Sequence, residues 1–152
     1  MVRPRSAGQA AARPHCIVIE RLTVRSDRVA CDVAVAPGAP RCSTPQLAAR
    51  IRAAFPDVPD HACVNDEGET FAAVMERTSL PHVLEHLVIS LQARAEAAVS
   101  PAASDGTVFV GTTEWTDEFA GRARVEVSFA DDLVALRAFR DATRFLNVAV
   151  VP

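Results

Sequence analysis

His82, Glu85 and His86, in the run Ser79-Leu-Pro-His-Val-Leu-Glu-His-Leu-Val-Ile-Ser-Leu-Gln92, are the residues of this chain whose types and spacing could do chemistry. Neutral imidazoles bind zinc through nitrogen, and a carboxylate beside them can act as a base; together they are the equipment of a zinc hydrolase. At about 100° per residue, a helix gathers the three within roughly a 100° arc. Leu80, Val83, Leu84, Leu87 and Leu91 crowd the opposite side. The bland alternative is a solvated helix face on which Glu85 merely neighbours two histidines. Ile89 and Ala93 prolong the triplet's stripe with small or apolar groups instead of charge, which fits a cleft wall better than open surface.

The helix that carries the triplet has its own punctuation. Ser79 can cap it, and Pro81 falls in the first turn, where its missing N–H would have had no partner. It should run to about Ala98, before Pro101. Upstream, residues 16–24 and 28–35 read as strands joined by a hairpin at Ser26-Asp27. After Pro37-Gly38-Ala39-Pro40, Thr44 can cap a helix that begins at Pro45 and ends by Pro56. Residues 69–77 read as a short helix turning Phe71, Val74 and Met75 inward. Downstream, residues 100–106 read as a loop, 107–111 as a strand, and 122–129 as a second strand with Ala123, Val125, Val127 and Phe129 on one face. Asp131 or Asp132 then caps a last helix bearing Leu133, Leu136, Phe139 and Leu146. The order ββαααββα predicts an α+β fold, an antiparallel sheet of about four strands with helices mainly on one face.

Composition narrows the function classes. With 152 residues and 49% hydrophobic content, the chain suits one domain with a sizeable core. That domain is expected over residues 15–152, after a disordered tail at 1–14 that is rich in Arg, Ala and Ser and lacks acidic residues. A formal charge of -3, with arginines scattered among carboxylates, leaves no electrostatic footprint for nucleic acid. Cys16, Cys31, Cys42 and Cys63 are far apart, with no Cys-x-x-Cys pair and no apolar signal region, as expected of a reduced cytoplasmic protein. No window approaches the roughly 20 apolar residues that cross a bilayer.

From Phe55-Pro-Asp-Val-Pro-Asp-His61-Ala-Cys63 through Phe71 to His82-Val-Leu-Glu85-His86-Leu-Val-Ile-Ser-Leu91-Gln92, the chain resembles the N-terminal domain of cyanophycin synthetase. Gly111-Thr112-Thr113 and the segment from Val125 to Asp132 match that domain more loosely, and the resemblance extends from about His15 onward. In that family the domain precedes an ATP-grasp ligase and a Mur-ligase-like module that make an arginine-aspartate polymer. Neither module lies within these residues, so ATP-dependent ligation is not expected. Some family members have an N-terminal domain similar to a metallopeptidase that trims the polymer, and His-x-x-Glu-His is also the order of inverzincin peptidases. The resemblance implies His82 and His86 as zinc ligands and Glu85 as the base, acting on a peptide or amino-acid polymer, with no nucleic-acid or membrane partner.

The resemblance also shows where this chain departs. A Glu usual before the Leu-Gln pair is Ser90 here, and the Glu of the late strand is Ser128. The third ligand is therefore sought nearby. Glu126, on the same strand face as Ser128, is the first candidate, and Glu114 and Glu118 are weaker ones. His61 and Cys63, two apart, would point to the same side of a strand and could offer a nitrogen and a sulfur, although a free Cys is more often a small buried hydrophobe. Trp115 could line a groove. Arg122 or Arg124 could meet acidic substrate groups, and Asp66, Glu67 or Glu69 could meet arginine. Two functions follow: a zinc-dependent hydrolase of peptide or isopeptide bonds, or a non-catalytic module that keeps the fold and binds a polymer, peptide or partner protein. A structural zinc site without chemistry is the third reading.

Overall fold

A computed structural model describes residues 15–100 and 106–150. The expected tail at 1–14 and most of the loop at 100–106 lie outside the described residues. Four strands form one antiparallel sheet: β1 (Ile17–Val24), β2 (Arg28–Val35), β3 (Gly111–Asp117) and β4 (Arg122–Ser128), in the order β1-β2-β4-β3. Three helices accompany them: α1 (Pro45–Ala54), α2 (Leu80–Val99) and α3 (Asp132–Ala149). The architecture is the α+β arrangement that the order of elements predicts.

Each helix starts where its side chains can satisfy the free N–H groups of the first turn. Thr44 accepts from Leu47 N ahead of α1, Ser79 from His82 N ahead of α2, and Asp131 from Leu133 N and Val134 N ahead of α3. Strand alternation then divides the sheet. Val29, Cys31 and Val33 of β2 and Ala123, Val125 and Val127 of β4 are buried with Leu84, Leu87, Phe139 and Leu146 from the helices. Burying one such aliphatic or aromatic side chain contributes about 1.5–3 kcal/mol. The opposite face carries ion pairs: Arg124 Nε to Asp32 Oδ1 at 3.0 Å and Arg25 Nη1 to Glu126 Oε1 at 3.2 Å. Among the described residues, no helix is long and apolar enough to cross a membrane.

Two elements differ from the sequence reading. The strand expected at 107–111 begins instead at Gly111 and runs to Asp117, taking in Glu114 and Trp115. Val108 and Val110 lie exposed outside it, while Thr112, Thr113, Trp115 and Thr116 have the branched or aromatic side chains that tolerate an edge strand. The helix expected at 69–77 contracts to a 3-10 turn, Phe71–Ala73, yet Phe71 and Met75 point into the core as expected.

Candidate metal centre

The first two-thirds of α2 are buried on nearly every side, because the helix lies against the sheet, α3 and the segment that precedes it. The triplet is therefore not a solvated face: His86 is 2% and Glu85 6% exposed. Phe71 fixes both histidine rings. It stacks on His86 at 4.1 Å between centroids and meets His82 edge-on at 5.1 Å. With Phe71 itself fully buried, the His86 ring stacked on it cannot swing away without opening the core.

The segment from Asp57 to Phe71 supplies the rest. A 3-10 turn at Val58–Asp60 ends at His61, after which the chain runs extended and pairs Ala62 with Thr70. Backbone bonds from Phe71 N to His61 O and from Cys63 N to Glu69 O close this small ladder. Asn65 pins its tip, its amide donating to Cys63 O and Thr70 O while its oxygen accepts from Glu67 N and Gly68 N. His61 and Cys63, two apart on extended backbone, both turn toward α2. Cys63 Sγ lies 3.4 Å from His82 Nε2, and His61 Nδ1 lies 3.1 Å from His86 Nδ1.

Donor atoms of Cys63, His82 and His86 all lie within 4.8 Å of one another, so this group could hold a metal ion. Thr78 Oγ1 engages His82 Nδ1 at 2.8 Å, leaving Nε2 as the nitrogen that faces the sulfur. His86 Nε2 is buried with no hydrogen-bond partner among the described residues. An unpartnered buried nitrogen costs about 1–3 kcal/mol, a penalty that a bound cation would remove. The residues present fit a metal ion. Three protein ligands is also the number that leaves a zinc ion an open position.

Burial sets the charges of the group. It pushes the Glu85 carboxyl up to about 7, against the opposing hydrogen bond that Thr113 Oγ1 donates to Oε1 at 2.9 Å. Burial also drives His86 down to about 3, aided by the neighbouring His82 and His61, and it lowers His82. Both α2 imidazoles are thus neutral at neutral pH, the state in which they can ligate. They open onto a cleft of about 690 Å³ between α2, the Ala62–Val64 stretch and residues 108–115, with Ile89 and Trp115 in its walls.

Of the residues singled out in the sequence, His82, Glu85 and His86 come together, and Cys63 joins them. Glu126 does not. It points to the opposite face of the sheet, where Arg25 and Arg28 hold it at 3.2 and 3.7 Å, because strand alternation that buries Val125 and Val127 beside α2 turns Glu126 away. Glu114 sits on β3 and Glu118 in the turn after it, and neither belongs to the cluster. Arg122 and Arg124 also lie on the open face, paired with Glu20 and Asp32.

A family model for the cyanophycin synthase-like N-terminal domain matches residues 29–150. The chain belongs to that family. No curated protein matches the chain, and neither does any solved structure. Within this cyanophycin synthase-like domain, the two serines have definite partners. Ser90 Oγ donates to Asp57 Oδ1 at 2.9 Å, and Ser128 Oγ accepts from Val110 N at 2.8 Å, fixing the start of the cleft wall. Gln92 anchors α2 to β4 through Nε2 to Ser128 O at 3.0 Å. Asp57, Thr78 and Thr113 were not legible as site residues. The available signals were hydroxyl or carboxylate groups four residues before a histidine, at Asp57/His61 and Thr78/His82, and, for Thr113, its place in the Gly111-Thr112-Thr113 run.

Proposed function

We propose that this domain is a zinc-dependent hydrolase of peptide or isopeptide bonds, with Cys63, His82 and His86 as ligands and Glu85 as the general base. The observation that carries the reading is the convergence of Cys63 Sγ and the two histidines on a cleft, with the buried Nε2 of His86 unpartnered and Glu85 beside it. A bound zinc would supply Lewis acidity toward a water and the scissile carbonyl. The Cys63 thiol must lose its proton to ligate, and the adjacent neutral imidazoles need lose none.

Glu85 has the placement for proton transfer. Thr113 holds Oε1, while Oε2 lies 3.4 Å from His86 Nε2 at the ligand cluster. A carboxyl that titrates near 7 can take a proton from the attacking water and hand it to the leaving nitrogen at cellular pH. Hydrolysis then balances: the amide C–N bond breaks, hydroxyl stays on the carbonyl carbon and the proton ends on the amine. The family supports an arginine-aspartate polymer as the substrate to try first. Asp66, Glu67 and Glu69, exposed on the ladder that carries Cys63, are the groups on that side that could meet arginine.

The second reading, a binding module without chemistry, draws support from Val64, Val108 and Val110, exposed apolar side chains along the cleft. A structural zinc site is disfavoured by the open cleft beside the ligands, since structural sites close the fourth position with a protein group. Metal analysis of the purified protein, with hydrolysis assayed on the polymer, separates the three. The hydrolase requires about one equivalent of zinc, lost in His82→Ala and kept in Glu85→Gln, and hydrolysis lost in both. Zinc retained with no hydrolysis by the wild type leaves a metal site without chemistry, and a protein that takes up no zinc leaves the binding module.

A further inference from the structure

Behind His86, on the side away from the cleft, runs a chain of polar contacts that the hydrolase reading does not use. Ser90 Oγ donates to Asp57 Oδ1 at 2.9 Å, Asp57 Oδ2 lies 3.0 Å from His61 Nε2, and His61 Nδ1 lies 3.1 Å from His86 Nδ1. Ser90 stands one helical turn beyond His86 on α2, so the chain leaves the helix at one histidine and returns to it at the serine. A carboxylate, two imidazoles and a hydroxyl, gathered from two separate segments, form a closed circuit.

The circuit has one direction in which neutral rings satisfy every contact. An ionised carboxylate only accepts, so the proton between Asp57 and His61 belongs on His61 Nε2. A neutral His61 is then bare at Nδ1 and can only accept there. Two ring nitrogens 3.1 Å apart share one proton, which must come from His86 Nδ1. His86, neutral in its buried setting, is left bare at Nε2, which makes no hydrogen bond among the described residues and has Glu85 Oε2 beside it at 3.4 Å. The carboxylate charge itself is secured: burial works against it, but the hydrogen bonds from Ser90 and His61 outweigh that and hold Asp57 below its usual range.

We infer that Asp57 and His61 are positioning residues, which keep the proton of His86 on Nδ1 and so present its Nε2 lone pair to a metal ion. The inference rests on the metal centre proposed above for its consequence, but not for its proton assignment. Partners behind a ligating histidine fix its tautomer and orientation, and their loss weakens metal binding by about 10–100-fold.

The test reads both properties separately. In metal-free, chelator-treated protein labelled with ¹⁵N, long-range proton–nitrogen correlation reports which nitrogen of His86 is bare. We expect Nε2 bare in the wild type and in His61→Asn, whose amide oxygen can accept in place of the ring nitrogen, and a shift of the proton toward Nε2 in His61→Leu. Zinc titration should show His61→Leu about 10–100-fold weaker and His61→Asn restored to within a few-fold of the wild type. Should His61→Leu fail to fold, Asp57→Ala, at a half-exposed side chain, is expected to shift the same signal and weaken zinc in the same direction. A wild-type His86 protonated on Nε2, or a signal and affinity unmoved by His61→Leu, overturns the inference. Wild-type protein that shows the bare Nε2 yet takes up no zinc sinks the hydrolase reading and leaves the proton assignment standing.

Discussion

At the residue scale, ligand identity turns on which acidic or soft group can reach two neutral imidazoles. Cys63 Sγ reaches them and Glu126 does not, so the two make opposite predictions. Cys63→Ser should weaken zinc binding by at least an order of magnitude, since a hydroxyl replaces a thiolate donor. Glu126→Gln should leave zinc affinity unchanged, within error, and disturb only the exposed contacts with Arg25 and Arg28, worth about 0–1 kcal/mol. Alkylation gives a second measure: in chelator, exposed Cys42 and half-buried Cys63 should react, while zinc should protect Cys63 alone. Cys31, buried and with its thiol pushed up to about 12, should stay unmodified under either condition. The histidine pair was legible because helical spacing alone brings i and i+4 together. Cys63 was readable only as one candidate donor beside His61, because its approach depends on how an extended segment 19 residues upstream of His82 folds back.

At the scale of elements, β3 is the part of the scaffold that closes on the site. Gly111, its first residue, passes so near α2 that a methyl group there would stand 2.6 Å from Glu85 Cγ and 2.9 Å from Cδ. Glycine at this position permits the strand to approach the base. Gly111→Ala must therefore displace the Glu85 side chain or the strand, at about 1–3 kcal/mol of stability. The displacement should lower hydrolysis strongly while zinc is retained, because the side chain nearest the added methyl is Glu85 and not one of the three proposed ligands; equilibrium unfolding and metal analysis on the same preparation check both halves. Helices α1, α2 and α3 were readable from Thr44, Ser79 and Asp131, whose caps are local chemistry. The position of β3 was not, since Gly111–Asp117 buries no continuous apolar face and gains its place from pairing with β4. For the same reason Trp115 falls between the two strands that the sequence predicts at 107–111 and 122–129.

For the whole molecule, the site carries an electrostatic load that stability against pH should reveal in metal-free protein. The Glu85 carboxyl keeps its proton to about 7 in the fold, against an ordinary value of 4.5, because burial disfavours its charge. Its stabilisation is fully present below 4.5 and is lost as pH rises through 7, a swing of about 3 kcal/mol. His86 has the opposite sign. Burial, with His82 and His61 beside it, lowers it from 6.5 to about 3, so its contribution is present above 6.5 and is lost as pH falls through 3. Between 4.5 and 6.5 the slope of Glu85 opposes that of His86, while His82, also lowered by burial, adds to the rise. Glu85→Gln deletes the falling slope and leaves the rising one. Urea denaturation in chelator at a series of pH values should then show the variant gaining stability with pH across that window, relative to the wild type. Parallel curves would mean that Glu85 titrates as an exposed carboxyl does, which is incompatible with a base held in reserve behind Gly111 and Thr113. Zinc adds a further shift, about 4 kcal/mol when free metal exceeds the dissociation constant 1,000-fold, and that shift should vanish in His82→Ala. A fold in which buried His86 and buried Glu85 respond to pH with opposite sign is most stable where both are neutral, so the ionised Glu85 that accepts a proton is held against the preference of the fold.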